Sequence, residues 1–192
     1  MDVPLTEPHA VEALRDDLAG FTVDAVTELL GPVAHAALGR EQPVPALAVL
    51  SAVAAAAGPS QPLATLVTAL VVGRPVSRRG LDAALPRLGT DGAQRLGLVE
   101  AAGAGPDDEL RPLLDLRPYA AVDAIGTADS WVASDLDELA TGAPLRLDHV
   151  LGVGGASMTP ARCAVRRGVG RVLDLGMGCG VQALHASRHA AR

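Results

Sequence analysis

Apolar residues recur every three or four positions through the first part of the chain, the spacing of helices that bury one face. Thr6 is placed to cap a helix that puts Val11, Leu14 and Leu18 on one side and ends near Gly20. Thr22 caps a second, with Val23, Val26, Leu29 and Leu30 apolar and Gly31 as its stop. Pro43 and Pro45 interrupt the chain before an Ala-rich helix from about Ala46 to Ala57, which Gly58-Pro59 ends. A further helix is expected from about Pro62 to Val72, closed by Gly73. A short one after Ser77 carries Leu81, Ala84 and Leu85 as far as Pro86.

After Pro86 the period shortens. Leu96-Gly97-Leu98-Val99-Glu100 reads as a strand, Gly103 to Asp108 as a turn, and Leu110 to Tyr119 as a second extended run. Helix, turn, helix and a two-stranded hairpin follow one another in the order of a winged-helix module. On that reading Leu63 to Val72 is the supporting helix and Arg78 to Leu85 the recognition helix. Ser130-Trp131-Val132-Ala133-Ser134 is a further strand candidate, and Thr141-Gly142-Ala143-Pro144 reads as a linker. The pattern predicts a mainly α, α+β domain over residues 1–140, then a linker and the start of a second domain over 141–192.

The second domain opens on chemistry. Val172-Leu173-Asp174-Leu175 runs from apolar residues into an acidic one, and Gly176, Gly178 and Gly180 then alternate before helix-like residues resume at Val181. A buried parallel strand delivers its end to a nucleotide-like ligand in this way. Glycines let the backbone turn sharply and approach the ligand closely, and the following helix presents free N–H groups. Gly178, Gly180 and Ala183 also satisfy the dinucleotide fingerprint G-x-G-x-x-G/A, so a nicotinamide-dinucleotide binder is one alternative. An acidic residue at the strand end would repel a pyrophosphate, whereas it suits a cofactor carrying an ammonium group. A glycine-rich turn without a ligand is the third possibility.

Asp174-x-Gly176-x-Gly178-x-Gly180 resembles motif I, D/E-x-G-x-G-x-G, of the class I S-adenosylmethionine-dependent methyltransferases. Upstream, Asp148-His149-Val150-Leu151-Gly152-Val153-Gly154-Gly155-Ala156-Ser157-Met158-Thr159-Pro160-Ala161 looks like the entry segment of the small-domain and release-factor glutamine methyltransferases. Together the two stretches resemble an actinobacterial group in which a helical domain precedes the catalytic one. The resemblance implies an α/β, Rossmann-like domain and S-adenosyl-L-methionine as cofactor, held by Asp174, Gly176, Met177, Gly178, Cys179 and Gly180. It also implies that Ser157 and Thr159 lie over the cofactor. Met177 departs from the group, which more often has threonine there. The implied reaction is methyl transfer to a nitrogen of a protein glutamine or a nucleobase, with a release-factor-like protein or nucleic acid as partner. The Asn/Asp-Pro-Pro-Tyr/Phe loop that binds the acceptor in such enzymes does not occur in this sequence, nor does the acidic residue for the ribose hydroxyls. No catalytic residue is therefore assigned. The reading expects a domain truncated after motif I, with little turnover by itself.

Composition narrows the rest. Apolar residues make up 49% of the 192, but Phe, Tyr and Trp occur once each, so the core is built from Ala, Leu and Val. Residues 1–140 hold nine arginines against twenty carboxylates, and residues 141–192 hold seven against Asp148 and Asp174. An acidic front and a basic back support a boundary near 140 to 147. The surplus of negative charge argues against nucleic acid on the first domain, although Arg74, Arg78, Arg79 and Arg87 occupy fitting positions. A protein-docking or substrate-presenting module, non-catalytic in the alternative reading, suits it better.

No apolar run approaches the roughly 20 residues of a membrane span. Asp2, Glu7 and Glu12 fill the region a secretory leader would make positive, so a cytoplasmic protein is expected. Cys163 and Cys179 are too few for a disulfide framework. His185 and His189 have chelating spacing but no further ligand nearby, and read as exposed histidines near a helix end. Asp107, Asp108 and Glu109 read as a charged hairpin tip, and Asp16-Asp17 as helix surface. No metal site is expected.

Overall fold

The computed structural model describes residues 7–57, 61–123 and 125–191. Helix α1 (Pro8–Asp17) starts on a proline, whose missing N–H costs nothing in a first turn. The cap expected at Thr6 lies outside the described residues. A 3₁₀ turn, Leu18–Gly20, delivers Phe21 into the core. In α2 (Val23–Leu38) the Thr22 hydroxyl accepts the Ala25 N–H at 3.1 Å. Gly31 stops the first half at φ +71°, as its position predicts, and Pro32 immediately starts the second half. Helix α3 spans Val44–Ala57. Its expected stop at Gly58-Pro59 lies outside the described residues.

Helix α4 (Pro62–Leu66) runs on as a wider turn through Val67–Val71, where the Val72 N–H reaches the Val67 carbonyl. Leu66, Val67, Ala69, Leu70 and Val71 are all buried in the main apolar cluster, with Thr65 and Thr68 half-buried beside them. Gly73 ends it at φ +68°, and a Cβ there would lie 2.6 Å from that of Ala140.

Strand β1 (Val76–Ser77) leads into α5 (Arg78–Ala84), capped by the Ser77 hydroxyl on the Gly80 N–H. Next comes α6 (Gly89–Arg95), which the sequence pattern does not foretell. It holds two glycines, Thr90 and Asp91, all weak helix formers. Tertiary contacts sustain it: the Leu88 side chain lies over Gly92, and the Asp82 carboxylate accepts the Thr90 N–H at 2.7 Å. The helix directly ahead of the hairpin is thus α6, and not Arg78 to Leu85. Asp17 is also more than helix surface, because its carboxylate accepts the N–H groups of Arg87 and Leu88.

Strands β2 (Val99–Ala101) and β3 (Glu109–Pro112) complete an antiparallel sheet in the order β1-β3-β2. The expected run from Leu110 to Tyr119 divides after Pro112. Strand β4 (Asp115–Asp123) pairs instead with β5 (Gly126–Ser134), in register from Asp115 opposite Ser134 to Asp123 opposite Gly126. The protein is mixed α/β, with two small antiparallel sheets. Among the described residues no helix is long and apolar enough to cross a membrane.

One large apolar cluster runs from Ala10 to Leu116, with Trp131 against it. A second, small cluster joins Tyr119 and Val132 of the hairpin to Val181. Beyond the hairpin come α7 (Glu138–Thr141), α8 (Gly155–Cys163) and α9 (Val181–Ala186). The expected linker begins inside α7, with Gly142 left-handed at its end. The expected strand at Val172 to Leu175 has no ladder partner among the described residues, and Leu173 and Leu175 are 80% and 84% exposed. A parallel strand takes its hydrogen bonds from neighbours, and the described residues place none beside it.

Candidate functional site

The loop between Asp174 and α9 is built on positive backbone angles. Gly176, Gly178 and Gly180 have φ of +73°, +55° and +78°. Side chains of L-residues clash in that region, so each alternate position calls for glycine. The Gly180 N–H closes the turn on the Met177 carbonyl at 2.9 Å, and the Gly180 carbonyl then accepts the Leu184 N–H of α9. Met177 projects into solvent, while Cys179 is half-buried against the small cluster of Tyr119, Val132 and Val181.

Asp174 is half-buried, and its Oδ2 is shielded from solvent with no hydrogen-bond partner among the described residues. An unpaired buried carboxylate oxygen is costly unless a ligand, ion or water serves it. The residue borders a cavity of about 290 Å³ lined by Arg166, Arg167, Arg171, Gln182 and His189. Asp174 is the one carboxylate of that lining, set among three guanidinium groups.

Ser157 and Thr159 sit on α8, and their hydroxyls are committed locally. Ser157 Oγ accepts the Gly154 N–H at 2.9 Å and donates to its carbonyl, capping the helix. Thr159 Oγ1 donates to the Gly155 carbonyl at 3.0 Å on an exposed face. The Gln182 side-chain amide donates to the Ser157 carbonyl, which brings the first turn of α8 against the first turn of α9. Ser157 is thereby drawn toward the end of the glycine loop. No hydrogen bond ties Thr159 to that loop among the described residues.

A polar network lies beside the loop, and sequence reasoning missed it. His185 is 2% exposed, not a solvated helix-end histidine. Its Nε2 lies 2.7 Å from the Tyr119 hydroxyl and its Nδ1 3.2 Å from Asp123 Oδ2. The same oxygen accepts from Arg166 Nε at 3.1 Å and Arg188 Nη1 at 3.0 Å, and Asp123 Oδ1 accepts the Ile125 N–H. Burial pushes the Asp123 pKa up, but the Ile125, His185 and Arg166 hydrogen bonds and the Arg188 charge outweigh it and lower it to about 2. An ionised carboxylate only accepts, so His185 Nδ1 carries a proton. Burial also pushes the Tyr119 hydroxyl up, and there it outweighs the neighbouring charges, so its pKa is raised. Val181, Leu184 and His185 share i, i+3, i+4 spacing, the signal that His185 belongs to the buried face of α9. His189 Nδ1 lies 3.2 Å from the His185 carbonyl.

The arginines considered for phosphate contact are largely spoken for. Arg78 pairs with Asp91 at 3.0 Å, Arg79 with Asp107 at 3.3 Å and Arg87 with Asp16 at 2.6 Å. The acidic tip does not gather around a common point. Asp107 faces Arg79, Asp108 accepts the Gly105 N–H, and Glu109 belongs to β3.

Residues 18–112, from the end of α1 through β3, match the family model described as a domain of unknown function, DUF7059. No curated protein and no solved structure matches the chain.

Proposed function

We propose that residues 148–191 are the opening, cofactor-holding unit of a class I S-adenosylmethionine-dependent methyltransferase domain, carried behind a winged-helix-like module. The observation that carries the reading is the backbone at motif I. Three alternate glycines are left-handed immediately after an aspartate whose shielded oxygen has no partner among the described residues. S-adenosyl-L-methionine would supply an activated methyl group on a sulfonium, so the chain's own work is holding and orienting. Asp174 would accept the ligand's ammonium group. Gly176, Met177, Gly178, Cys179 and Gly180 would lend main-chain groups at close approach. Ser157 would lie near the far side of the loop, and Thr159 farther out.

Two further features support the reading. The exposed apolar side chains of Leu173 and Leu175 are those of a strand made to be covered by parallel neighbours and helices. The first module has the sheet order β1-β3-β2 with α5 and α6 inserted between β1 and β2, as winged helices do. In this module α6 takes the recognition position. Its neighbouring arginines face carboxylates, which favours docking a protein, or presenting one as methyl acceptor, over gripping phosphates. The acceptor is a nitrogen of a protein glutamine or a nucleobase, and the setting is the cytoplasm.

Titration calorimetry with S-adenosyl-L-methionine tests the proposal, with NAD as comparison. Binding of the former that Asp174→Ala and Gly178→Val each abolish is the expected result. Preference for NAD would transfer the loop to a dinucleotide enzyme. Binding of neither would leave a protein-interaction module as the function.

A further inference from the structure

The network around Asp123 joins two parts of the chain that little apolar surface joins. Only Tyr119, Val132 and Val181 are buried in the cluster there, far fewer than in the main core. Asp123 ends β4, and Ile125 just beyond it orients the carboxylate with its N–H. Three donors then converge on one oxygen: Arg166 from beyond α8, His185 from within α9, and Arg188 from just past it. Arg188 also donates to the Thr127 carbonyl of β5 at 3.1 Å, so it grips both strands of the hairpin. The chain's single tyrosine completes the set through His185. These five hydrogen bonds run from the hairpin to the elements that flank the glycine loop.

We propose that the β4–β5 hairpin is a positioning device for the glycine loop, acting through the Tyr119–His185–Asp123 chain and its two arginines. The loop enters α9 at Gly180, one residue before Val181 and five before His185. Fixing His185 on two sides sets both the rotation and the height of α9. Cys179, inside the loop, packs on the same tyrosine-centred cluster. The loop therefore inherits its position from a hairpin that also packs, through Leu116 and Trp131, against the main core. Tyr119, Asp123 and His185 are positioning residues, with no direct contact to the ligand. In its ligand arm the inference rests on the cofactor reading above.

Hydrogen–deuterium exchange on the full chain tests it. Tyr119→Phe removes one hydroxyl and keeps the ring. It should speed exchange of the amides of residues 176–186 by about tenfold, leaving those of Leu66 to Leu70 unchanged, since losing one buried partner opens its own region first. Asp123→Asn should act in the same place and more strongly, and Arg95→Ala, in an exposed pair with Glu7, should act nowhere in 176–186. His185→Gln, which can still reach the tyrosine hydroxyl, should restore part of the protection lost in His185→Ala. Unchanged exchange in 176–186 for Tyr119→Phe and Asp123→Asn overturns the proposal. Affinity for S-adenosyl-L-methionine, measured on the same variants, should fall about tenfold in step. Faster exchange with unchanged affinity also overturns it. If the parent chain binds no S-adenosyl-L-methionine, the cofactor reading fails, and the exchange data alone decide whether the hairpin holds the loop.

Discussion

The indole Nε1 of Trp131 donates to the main-chain carbonyl of Phe21 at 2.9 Å, across 110 positions of sequence. These are the chain's one tryptophan and one phenylalanine, and together they fasten the long hairpin to the turn between α1 and α2. Phe21 is almost fully buried, so Phe21→Ala should cost about 3–5 kcal/mol. Trp131→Phe keeps most of the apolar contact and loses the hydrogen bond, a cost of about 1 kcal/mol. Urea denaturation followed by circular dichroism measures both. Equal losses would mean that the indole N–H, rather than burial, holds the joint.

The glycine loop should discriminate between positions by backbone angle alone. A Cβ at Gly178 would meet nothing closer than 3.9 Å, yet φ is +55° there. Gly178→Ala should therefore cost about 1–2 kcal/mol of loop strain without any steric clash. Gly168→Ala, outside any helix, with open space around it and no positive φ, should be neutral. Loop exchange rates and ligand affinity compared for the two variants check this. Equal effects would remove the argument that these angles demand glycine.

Stability should respond to pH in opposite senses at two aspartates. Burial, only partly offset by Arg117, raises the Asp115 pKa from 3.8 to about 6. The folded state then binds more protons than the unfolded one between about pH 4 and 6, so this contribution is lost as pH rises through that window. Asp123, lowered to about 2, contributes stability above about pH 4 that is lost as pH falls toward 2. Urea midpoints recorded across pH 2–7 should show Asp115→Asn flattening the slope above pH 4 and Asp123→Asn flattening the one below. A slope above pH 4 that survives in Asp115→Asn would exclude Asp115 as its source.

Asp17 should matter more than a helix-surface aspartate does. Its carboxylate serves two N–H groups ahead of α6, so Asp17→Ala should cost about 1–2 kcal/mol. Asp24→Ala, an exposed acidic residue in the first turn of α2, should cost less. Paired denaturation curves of the two variants give the comparison.

Much of the helical front of the chain was legible because its signals are local. Thr22 and Ser77 cap the helices they precede, and Gly31 and Gly73 take the left-handed angles that stop a helix. The alternate glycines at 176, 178 and 180 take left-handed angles as well, which lets the backbone turn sharply there. Helix α6 was not legible, since Gly89, Thr90, Asp91 and Gly92 carry no helical preference and the helix forms on contacts from Leu88, Asp82 and Asp17. Leu110 to Tyr119 read as one extended run because its leucines recur without a glycine to break them, although Pro112 and Pro118 lie within it. The division after Pro112 depends on which partner each half pairs with, β2 and β1 in one case and β5 in the other.

The candidate site divides in the same way. Sequence by itself determined the caps and stops of the helices before α6, the alternation of glycine at 176, 178 and 180, and the placing of Asp174 at the head of that loop, because backbone preferences act over a few residues. Only tertiary structure decided that His185 is buried, that Tyr119 lies 66 positions away yet within a hydrogen bond of it, and that Asp123 collects two arginines. Those groups acquire partners when a hairpin and a helix are brought together, and their burial and charge follow from that meeting rather than from their neighbours in the chain.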